Sequence, residues 1–349
     1  MIMSFENNHS RDRSATCSSP KRNSASASAR LSPRADHVKV NPMNRSDLNP
    51  APNRARVWIA SLLLSVSALG LPATPALAQG VVQSTGAAER IDITERVRAL
   101  SQRIGVAACH VQAGSDVENF KKVATDAIAE FDRLMLGLAE GNPELGLPAK
   151  EEERKVLAGI RGVDLQWQTF AGQAKTLLDG SAPADGWDYV ARQNLNLMHS
   201  TKYLVQEIIN AYANPPELLQ SHALTLDIVG RQRSLALQMA KEACGLANGN
   251  KVVGNSFRFA KTVRLFEASL NALANGFPAA GVITPPTPEI AAKMAEIQAD
   301  WAAVKPDVEA AVTGVDPAAS VELYKKLDAI TTKFDEVTLM YVTASKSGI

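Results

Sequence analysis

Residues 229–249 read VGRQRSLALQMAKEACGLANG, and residues 94–114 read TERVRALSQRIGVAACHVQAG. The two stretches share identical residues at positions that differ by 135, among them Arg96 and Arg231, Arg98 and Arg233, Leu100 and Leu235, Cys109 and Cys244, and Gly114 and Gly249. Pairs of Phe, Leu, Gly and Trp extend the match downstream at an offset of 134 or 135. Self-similarity over this length predicts a duplicated structural unit of roughly 135 residues.

Each repeat carries the pattern of four helices. Apolar residues recur at intervals of three and four, and no alternating strand pattern persists beyond four residues. The predicted helices lie at about 84–113, 115–141, 150–179 and 187–213 in the first repeat, and at about 217–248, 255–275, 288–314 and from 317 onward in the second. Long helices with short connections are typical of antiparallel bundles. The sequence therefore predicts an all-α fold with two tandem antiparallel four-helix bundles, at 82–214 and 215–345.

Local signals predict where several of these helices begin. Ser115 followed by Glu118 has the spacing of a capping box. Thr287 and Asp316 are each followed by proline, which favours an N-cap with proline in the first helical position. The acidic run at 150–154 is predicted as the solvated first turn of a helix, where negative charge suits the helix N-terminus.

The first 78 residues do not have the pattern of a folded domain. Residues 1–53 are rich in Ser, Asn, Pro and Arg and contain few apolar residues, which predicts a disordered leader. Residues 54–78 have the parts of a signal peptide, with Arg54 and Arg56 before an apolar run and an Ala-Leu-Ala sequence that predicts cleavage after Ala78.

A signal peptide belongs at the beginning of a chain, whereas this one starts more than fifty residues in. Translation from Met43 would give it an ordinary length, so we expect residues 1–42 to come from a mis-called start codon. A long leader that is translated is the alternative. In either case export predicts a periplasmic mature protein that begins at Gln79.

The composition of the mature chain limits its function. Residues 79–349 carry 27 Lys and Arg against 32 Asp and Glu, a net charge of −5, which argues against a nucleic-acid-binding protein. No apolar run in this range approaches 18 residues, so we expect a soluble mature protein without a transmembrane segment.

No constellation for catalysis or metal binding is recognisable in the mature chain. Di-iron bundles use Glu-x-x-His motifs, and Glu does not stand three residues before any of the three histidines, which are His110, His199 and His222. Cys109 and His110 are adjacent on a helix, so their side chains point about 100° apart and do not form a nucleophile–base pair. His110 is predicted as a surface residue at a helix C-terminus. We expect a protein that is not an enzyme and requires no metal or cofactor.

The stretch Gly230–Leu235, followed by Met239–Lys241, resembles the signature helix of the PilJ-type domain. That domain is the N-terminal sensing domain of type IV pili methyl-accepting chemotaxis transducers. The first repeat supplies equivalent residues from Arg96 to Arg103, and the resemblance covers about 82–345. One departure is Glu95, which stands where the family pattern and the second repeat have glycine.

This domain is also similar to the periplasmic sensor of nitrate/nitrite histidine kinases, in which two equivalent helices each supply one arginine to the anion. The resemblance places those arginines at Arg98 and Arg233, with Arg96 and Arg231 as secondary candidates. Guanidinium groups are always charged and present planar donor forks to oxyanions. In the alternative interpretation, these arginines pair with carboxylates of the chain or lie in water.

The two cysteines of the mature chain, Cys109 and Cys244, stand in an oxidising compartment if the protein is exported. Each lies eleven residues after its arginine, Arg98 or Arg233, which is within about 20° of three helical turns. If the first helices of the repeats pack in parallel, a Cys109–Cys244 disulfide is expected about 16 Å along the helices from the arginines. If the bundles join end to end, the cysteines are far apart and remain two separate buried side chains.

Transducers of the resembling family carry transmembrane helices and a cytoplasmic signalling module, and neither is recognisable after residue 78. We therefore expect a periplasmic sensing or binding module for a small anion such as nitrate or nitrite, acting with a membrane chemoreceptor or sensor kinase. The alternative is a non-catalytic helical scaffold or interaction protein without a small-molecule ligand.

Overall fold

A computed structural model describes residues 84–183, 186–215, 217–250 and 254–349, all of which belong to one compact unit. The predicted leader, signal peptide and cleavage site after Ala78 lie outside the described residues. Within the described ranges, no helix is both long and apolar enough to cross a membrane.

Eight α-helices and two short 3-10 turns make up the regular structure of the described residues. In chain order the helices are α1 Ala87–Gln112, α2 Val117–Glu140, α3 Arg154–Leu178, α4 Gly186–Tyr212, α5 Gln220–Ala247, α6 Ser256–Asn275, α7 Pro288–Thr313 and α8 Pro317–Lys346. The 3-10 turns lie at equivalent places in the two repeats, at Pro143–Leu145 and Pro278–Ala280. The predicted all-α fold is confirmed.

Two of the predicted helix starts are confirmed, and a third is wrong. Thr287 accepts a hydrogen bond from the backbone N–H of Ile290, and Asp316 accepts one from that of Ala319. Ser115 does not cap α2, since it lies one residue before the N-cap, and its backbone N–H donates to the carbonyl of His110 at the end of α1. The N-cap of α2 is Asp116, which has a left-handed φ of 49° and makes no side-chain capping bond.

The acidic run before α3 is not a solvated helical turn. Glu151 is only 1% exposed, and its Oε2 accepts a hydrogen bond from Arg90 Nη1 at 2.8 Å. Its Oε1 accepts from the hydroxyl of Tyr212 at 2.6 Å and from the backbone N–H groups of Glu152 and Glu153. Arg90 on α1 is buried and therefore requires a charged partner, which Glu151 supplies. The acidic run precedes α3, which begins only at Arg154.

The two repeats lie side by side. Helix α1 packs on α2 and α4, α5 packs on α6 and α8, and the most extensive contact between helices is that of α1 with α5. The helices α1 and α5 are parallel, since Asp92 meets Arg233 and, further toward the C-terminal end of both helices, Cys109 meets Cys244. Both helices are therefore buried on most sides and bury many polar residues. The domain division at 82–214 and 215–345 stays a prediction.

Gly230 marks the closest approach of α5 to α1. A Cβ atom at this position would lie 2.7 Å from Cβ of Glu95 and 3.2 Å from Nη2 of Arg233. We expect Gly230→Ala to lower the free energy of unfolding by about 1–3 kcal/mol, because the helices must move apart to admit the methyl group.

Gly162 supplies the matched control for this substitution. It is an exposed residue within α3, and a Cβ atom there would meet nothing within 4 Å. We expect Gly162→Ala to raise the free energy of unfolding by about 0.5–1 kcal/mol through helix propensity. Urea denaturation of both variants measures the difference, and stabilisation by both would contradict the close approach of α1 and α5.

Candidate functional site between the two repeats

Arg233 on α5 joins three helices through its guanidinium group. Nη2 donates to Oδ1 of Asp92 on α1 at 2.7 Å, and Nη1 donates to Oδ1 of Asp335 on α8 at 2.8 Å. The Nε atom donates to the carbonyl of Gly230, and the side chain is only 2% exposed. Burial by itself would lower the pKa of Arg233, but the two carboxylates raise it above its ordinary value. The positive charge of Arg233 is therefore neutralised by two carboxylates of the protein itself.

Arg98 occupies the equivalent position on α1 but has a different environment. Its Nη1 donates to Oε1 of Glu95 on the same helix at 3.3 Å, and its buried Nε has no hydrogen-bond partner. Among the described residues, Arg98 thus pairs with one carboxylate, whereas Arg233 pairs with two.

Glu95 places a carboxylate of the chain beside these arginines. It is fully buried, its Oε2 has no hydrogen-bond partner, and its side chain extends over the α-carbon of Gly230. Burial raises the pKa of Glu95 to about 7, against the opposing effect of Arg98 and with a further upward effect of Asp227. The group is therefore close to half-ionised at neutral pH.

The raised pKa of Glu95 predicts a pH dependence of stability. The folded value of about 7 lies above the ordinary value of 4.5, so its stabilising effect is complete below pH 4.5 and is lost as the pH rises through 7. We expect this loss to reach about 3 kcal/mol, from 1.36 kcal/mol per pKa unit.

The variant Glu95→Gln tests this dependence, because its side chain does not titrate. Urea denaturation of both proteins between pH 4 and 8 should show the variant gaining stability relative to the wild-type protein as the pH rises. A difference in unfolding free energy that is constant over this range would contradict the prediction.

All four arginines proposed as anion ligands are paired with carboxylates of the chain. The pairs are Arg96 with Glu130 at 2.9 Å, Arg98 with Glu95 at 3.3 Å, Arg231 with Asp227 at 2.6 Å and Arg233 with Asp92 at 2.7 Å. This pairing agrees with the alternative interpretation of the sequence, in which the arginines pair with carboxylates of the chain. Their role as anion ligands stays a prediction.

A cleft of about 400 Å³ opens beside Arg233, with α1 and α2 of the first repeat on one side and α8 of the second repeat on the other. We refer to it as the inter-repeat cleft. Its charged lining consists of Arg96, Arg103, Arg233, Asp126, Glu130 and Asp335. Its remaining lining consists of Ala99, Leu100, Val123, Ala127, Thr331 and Thr332.

Arg96 and Arg103 are seven residues apart on α1, which is two helical turns and about 10 Å, so they lie on one face. Arg96 pairs with Glu130 through Nη2, and Arg103 pairs with Asp328 on α8 at 2.7 Å through Nη2. The side chains are 32% and 25% exposed, respectively. Each guanidinium has five N–H donors, so both keep donors for a ligand. The sequence signal that could have identified Arg103 as a cleft residue is its position seven residues after Arg96, on the same face of the helix.

A disulfide joins the last turns of α1 and α5. Its residues are Cys109 and Cys244, whose Cα atoms are 6.3 Å apart. The bond therefore crosses from one repeat to the other, next to His110. That histidine is fully buried, with its ring stacked on Phe120 at a centroid distance of 4.2 Å. Its prediction as a surface residue was wrong because α2 and α8 cover this end of α1.

Lys241 forms a third buried connection between the repeats, after Arg233 and the disulfide, and sequence reasoning did not single it out as a site. Its Nζ donates to Oε1 of Gln102 on α1 at 2.6 Å and to the side-chain oxygen of Asn194 on α4. Burial lowers the pKa of Lys241 to about 8. The lysine of the second repeat is thus held by neutral amide oxygens of the first repeat.

Within the described residues, no group of three or more His, Cys, Asp and Glu side chains is arranged so that it could hold a metal ion.

Comparison with known proteins identifies the family. The PilJ family model, described as type IV pili methyl-accepting chemotaxis transducer N-term, matches residues 81–188 and 219–327. These ranges cover more than half of the chain and fall one in each repeat. No curated protein and no solved structure gives a significant match. The chain belongs to the PilJ family and contains two tandem copies of its domain, a sensory rather than a catalytic one.

Proposed function

We propose that the chain is a periplasmic sensing module that binds a small molecule in the inter-repeat cleft and reports its presence to a membrane chemoreceptor or sensor kinase. The observation that carries the proposal is that both repeats line the cleft. Membership of a family of chemotaxis transducer N-terminal domains supports the sensing role. The predicted signal peptide at 54–78 supports the periplasmic location.

The position of the cleft offers a physical route from binding to signalling. Arg96 and Arg103 lie on the first repeat, whereas Asp335 and Thr332 lie on α8 of the second. A ligand that contacts both sides stabilises one arrangement of α1 relative to α8 over others. Differential affinity of this kind is the thermodynamic requirement for a ligand to shift a conformational equilibrium.

A small anion such as nitrate or nitrite, if it is the ligand, is proposed to bind at Arg96 and Arg103 and not between Arg98 and Arg233. An anion at Arg233 would have to displace Asp92, which is buried and would lose its charged partner. An uncompensated buried charge costs several kcal/mol. Arg96 and Arg103 are partly exposed and retain free donors, so binding there carries no such cost.

Thermal unfolding of the mature protein tests the proposal. The ligands are nitrate, nitrite, carboxylic acids and amino acids, each compared with chloride at equal ionic strength. A ligand that binds only the native state stabilises it by about 2.7 kcal/mol at one hundred times its dissociation constant. We expect one class of ligand to raise Tm and Arg103→Ala to abolish the shift.

Arg264→Ala is the matched control, because Arg264 is exposed on α6 and lies outside the cleft. This variant should retain the ligand-dependent rise in Tm. The absence of a shift with any class, or an equal shift in Arg103→Ala, would contradict the proposal.

The alternative function is a helical scaffold without a small-molecule ligand. The observation that favours it is the pairing of all four candidate arginines with carboxylates of the chain. One of these pairs, Arg233 with Asp92, crosses between the repeats, and together with the disulfide and the buried Lys241 it fixes the contact between them. A protein whose Tm responds to no ligand class would have this function.

A further inference from the structure

We infer that the inter-repeat cleft binds a zwitterion, specifically a small aliphatic α-amino acid. This inference rests on the proposed function, because it assigns a chemical class to the ligand of the same cleft. It depends on the charge balance of the lining, on the free hydrogen-bonding capacity of its side chains and on its apolar part.

The charge balance of the cleft disfavours a simple ion. Its lining carries three arginines and three carboxylates, which are Arg96, Arg103, Arg233, Asp126, Glu130 and Asp335. A monovalent anion at one guanidinium competes with a carboxylate that is already there and gains little net attraction. A zwitterion offers a carboxylate to an arginine and an ammonium group to a neighbouring carboxylate, so every charge keeps an opposite partner.

The free hydrogen-bonding groups of the cleft match the two ends of an amino acid. Arg96 donates to Glu130 through Nη2, and Arg103 pairs with Asp328 and hydrogen-bonds with Tyr324, so each guanidinium keeps further N–H donors for a ligand carboxylate. The hydroxyl of Thr332, an exposed residue, donates to the carbonyl of Asp328 on α8, which leaves its oxygen free to accept from an ammonium group. Asp126 is 64% exposed and adds a carboxylate acceptor.

The apolar part of the lining lies between Arg96 and Arg103. Ala99 and Leu100 occupy the turns of α1 between the two arginines, and Val123 and Ala127 face the cleft from α2. These side chains provide a surface for an aliphatic group of the ligand. Small-molecule sites of about 300–1,000 Å³ commonly combine such a surface with a few polar groups, and the volume of about 400 Å³ is in this range.

Three compounds that share the leucine side chain but differ in charge test which charged groups the cleft requires. L-leucine is a zwitterion, N-acetyl-L-leucine is an anion and L-leucinamide is a cation near neutral pH. Isothermal titration calorimetry of the mature protein should show binding of L-leucine and at least tenfold weaker binding of the other two. Equal binding of N-acetyl-L-leucine would overturn the inference, as would undetectable binding of L-leucine.

Variants of the lining test whether binding takes place in the cleft. We expect Arg103→Ala and Asp126→Asn each to weaken L-leucine binding at least tenfold. Asp126 is an exposed residue whose ion pair is with Lys122 on its own helix, so its substitution is not expected to disturb the fold. The matched controls are Arg264→Ala and Asp164→Asn, at exposed positions on α6 and α3 that should bind normally. Unchanged binding in both cleft variants would overturn the inference.

The outcomes distinguish this inference from the proposed function. If N-acetyl-L-leucine or nitrate binds and Arg103→Ala abolishes that binding, the cleft remains a sensing site but does not select a zwitterion. If none of the three compounds and no inorganic anion binds, both the inference and the proposed function are contradicted.

Discussion

Reduction of the Cys109–Cys244 disulfide is expected to lower the free energy of unfolding by about 5 kcal/mol. The bond closes a segment with a sequence separation of 135 residues. A disulfide that closes a loop of this length limits the entropy of the unfolded chain strongly, and the chain-entropy treatment gives about 5 kcal/mol. The effect should be large because the bond connects α1 to α5, the two helices at the centre of the structure.

Urea denaturation of the mature protein with and without reductant measures this effect. The double variant Cys109→Ser and Cys244→Ser provides the control, because reductant should not change its unfolding midpoint. Non-reducing mass spectrometry shows directly whether Cys109 and Cys244 are joined in the native protein. Free thiols at both positions in the native protein, or identical midpoints with and without reductant, would contradict the prediction.

Substitution of Arg233 by methionine is expected to lower the free energy of unfolding by about 3–5 kcal/mol. Asp92 is 3% exposed and receives its charged hydrogen bond from Arg233. Removal of one partner of a buried ion pair leaves the other charge without compensation, which accounts for a penalty of this size. The contact with Asp335 on α8 is lost as well, although that carboxylate is 48% exposed and can be solvated.

Arg231→Met is the matched control, two residues away on the same helix. Arg231 is 25% exposed and pairs with Asp227 within α5 at 2.6 Å. The side chain of Asp227 is 10% exposed, but Arg231 is itself open to water and the pair lies within one helix, so we expect a loss of about 1 kcal/mol. Urea denaturation should therefore show different losses of stability for two arginines that stand only two residues apart in the sequence. Similar losses in both variants would show that Arg233 has no special role in the contact between the repeats.

Several parts of the fold were predictable from local sequence. The repeat at an offset of 135, the apolar periodicity and the proline-marked helix starts at Thr287 and Asp316 indicated eight helices in two sets. The periodicity and the helix starts depend on residues within one or two helical turns of each other, and the repeat is found by comparing the two halves of the sequence. Interactions between residues so close in the chain can be recognised from a single sequence.

The environment of the candidate site was not predictable in the same way. Four residues illustrate this: Glu151, His110, Glu95 and Arg103. Glu151 and His110 resembled surface residues, yet both are buried because helices distant in the sequence cover them. In the sequence, Glu95 was visible only as a residue that departs from the glycine of the family pattern. Its raised pKa follows from burial, where α1 packs on α5 at Gly230. The ion pair of Arg103 with Asp328 joins residues of opposite repeats.

The sequence by itself determined that the mature chain is a duplicated helical unit with one arginine motif and one cysteine in each copy. Only the tertiary structure decided that α1 and α5 lie in parallel and that Arg233 is buried between Asp92 and Asp335. It also decided that a cleft forms between the repeats. Helix formation follows from neighbours along the chain, whereas burial, ion pairing and pKa depend on which distant residues the packing of the repeats brings together.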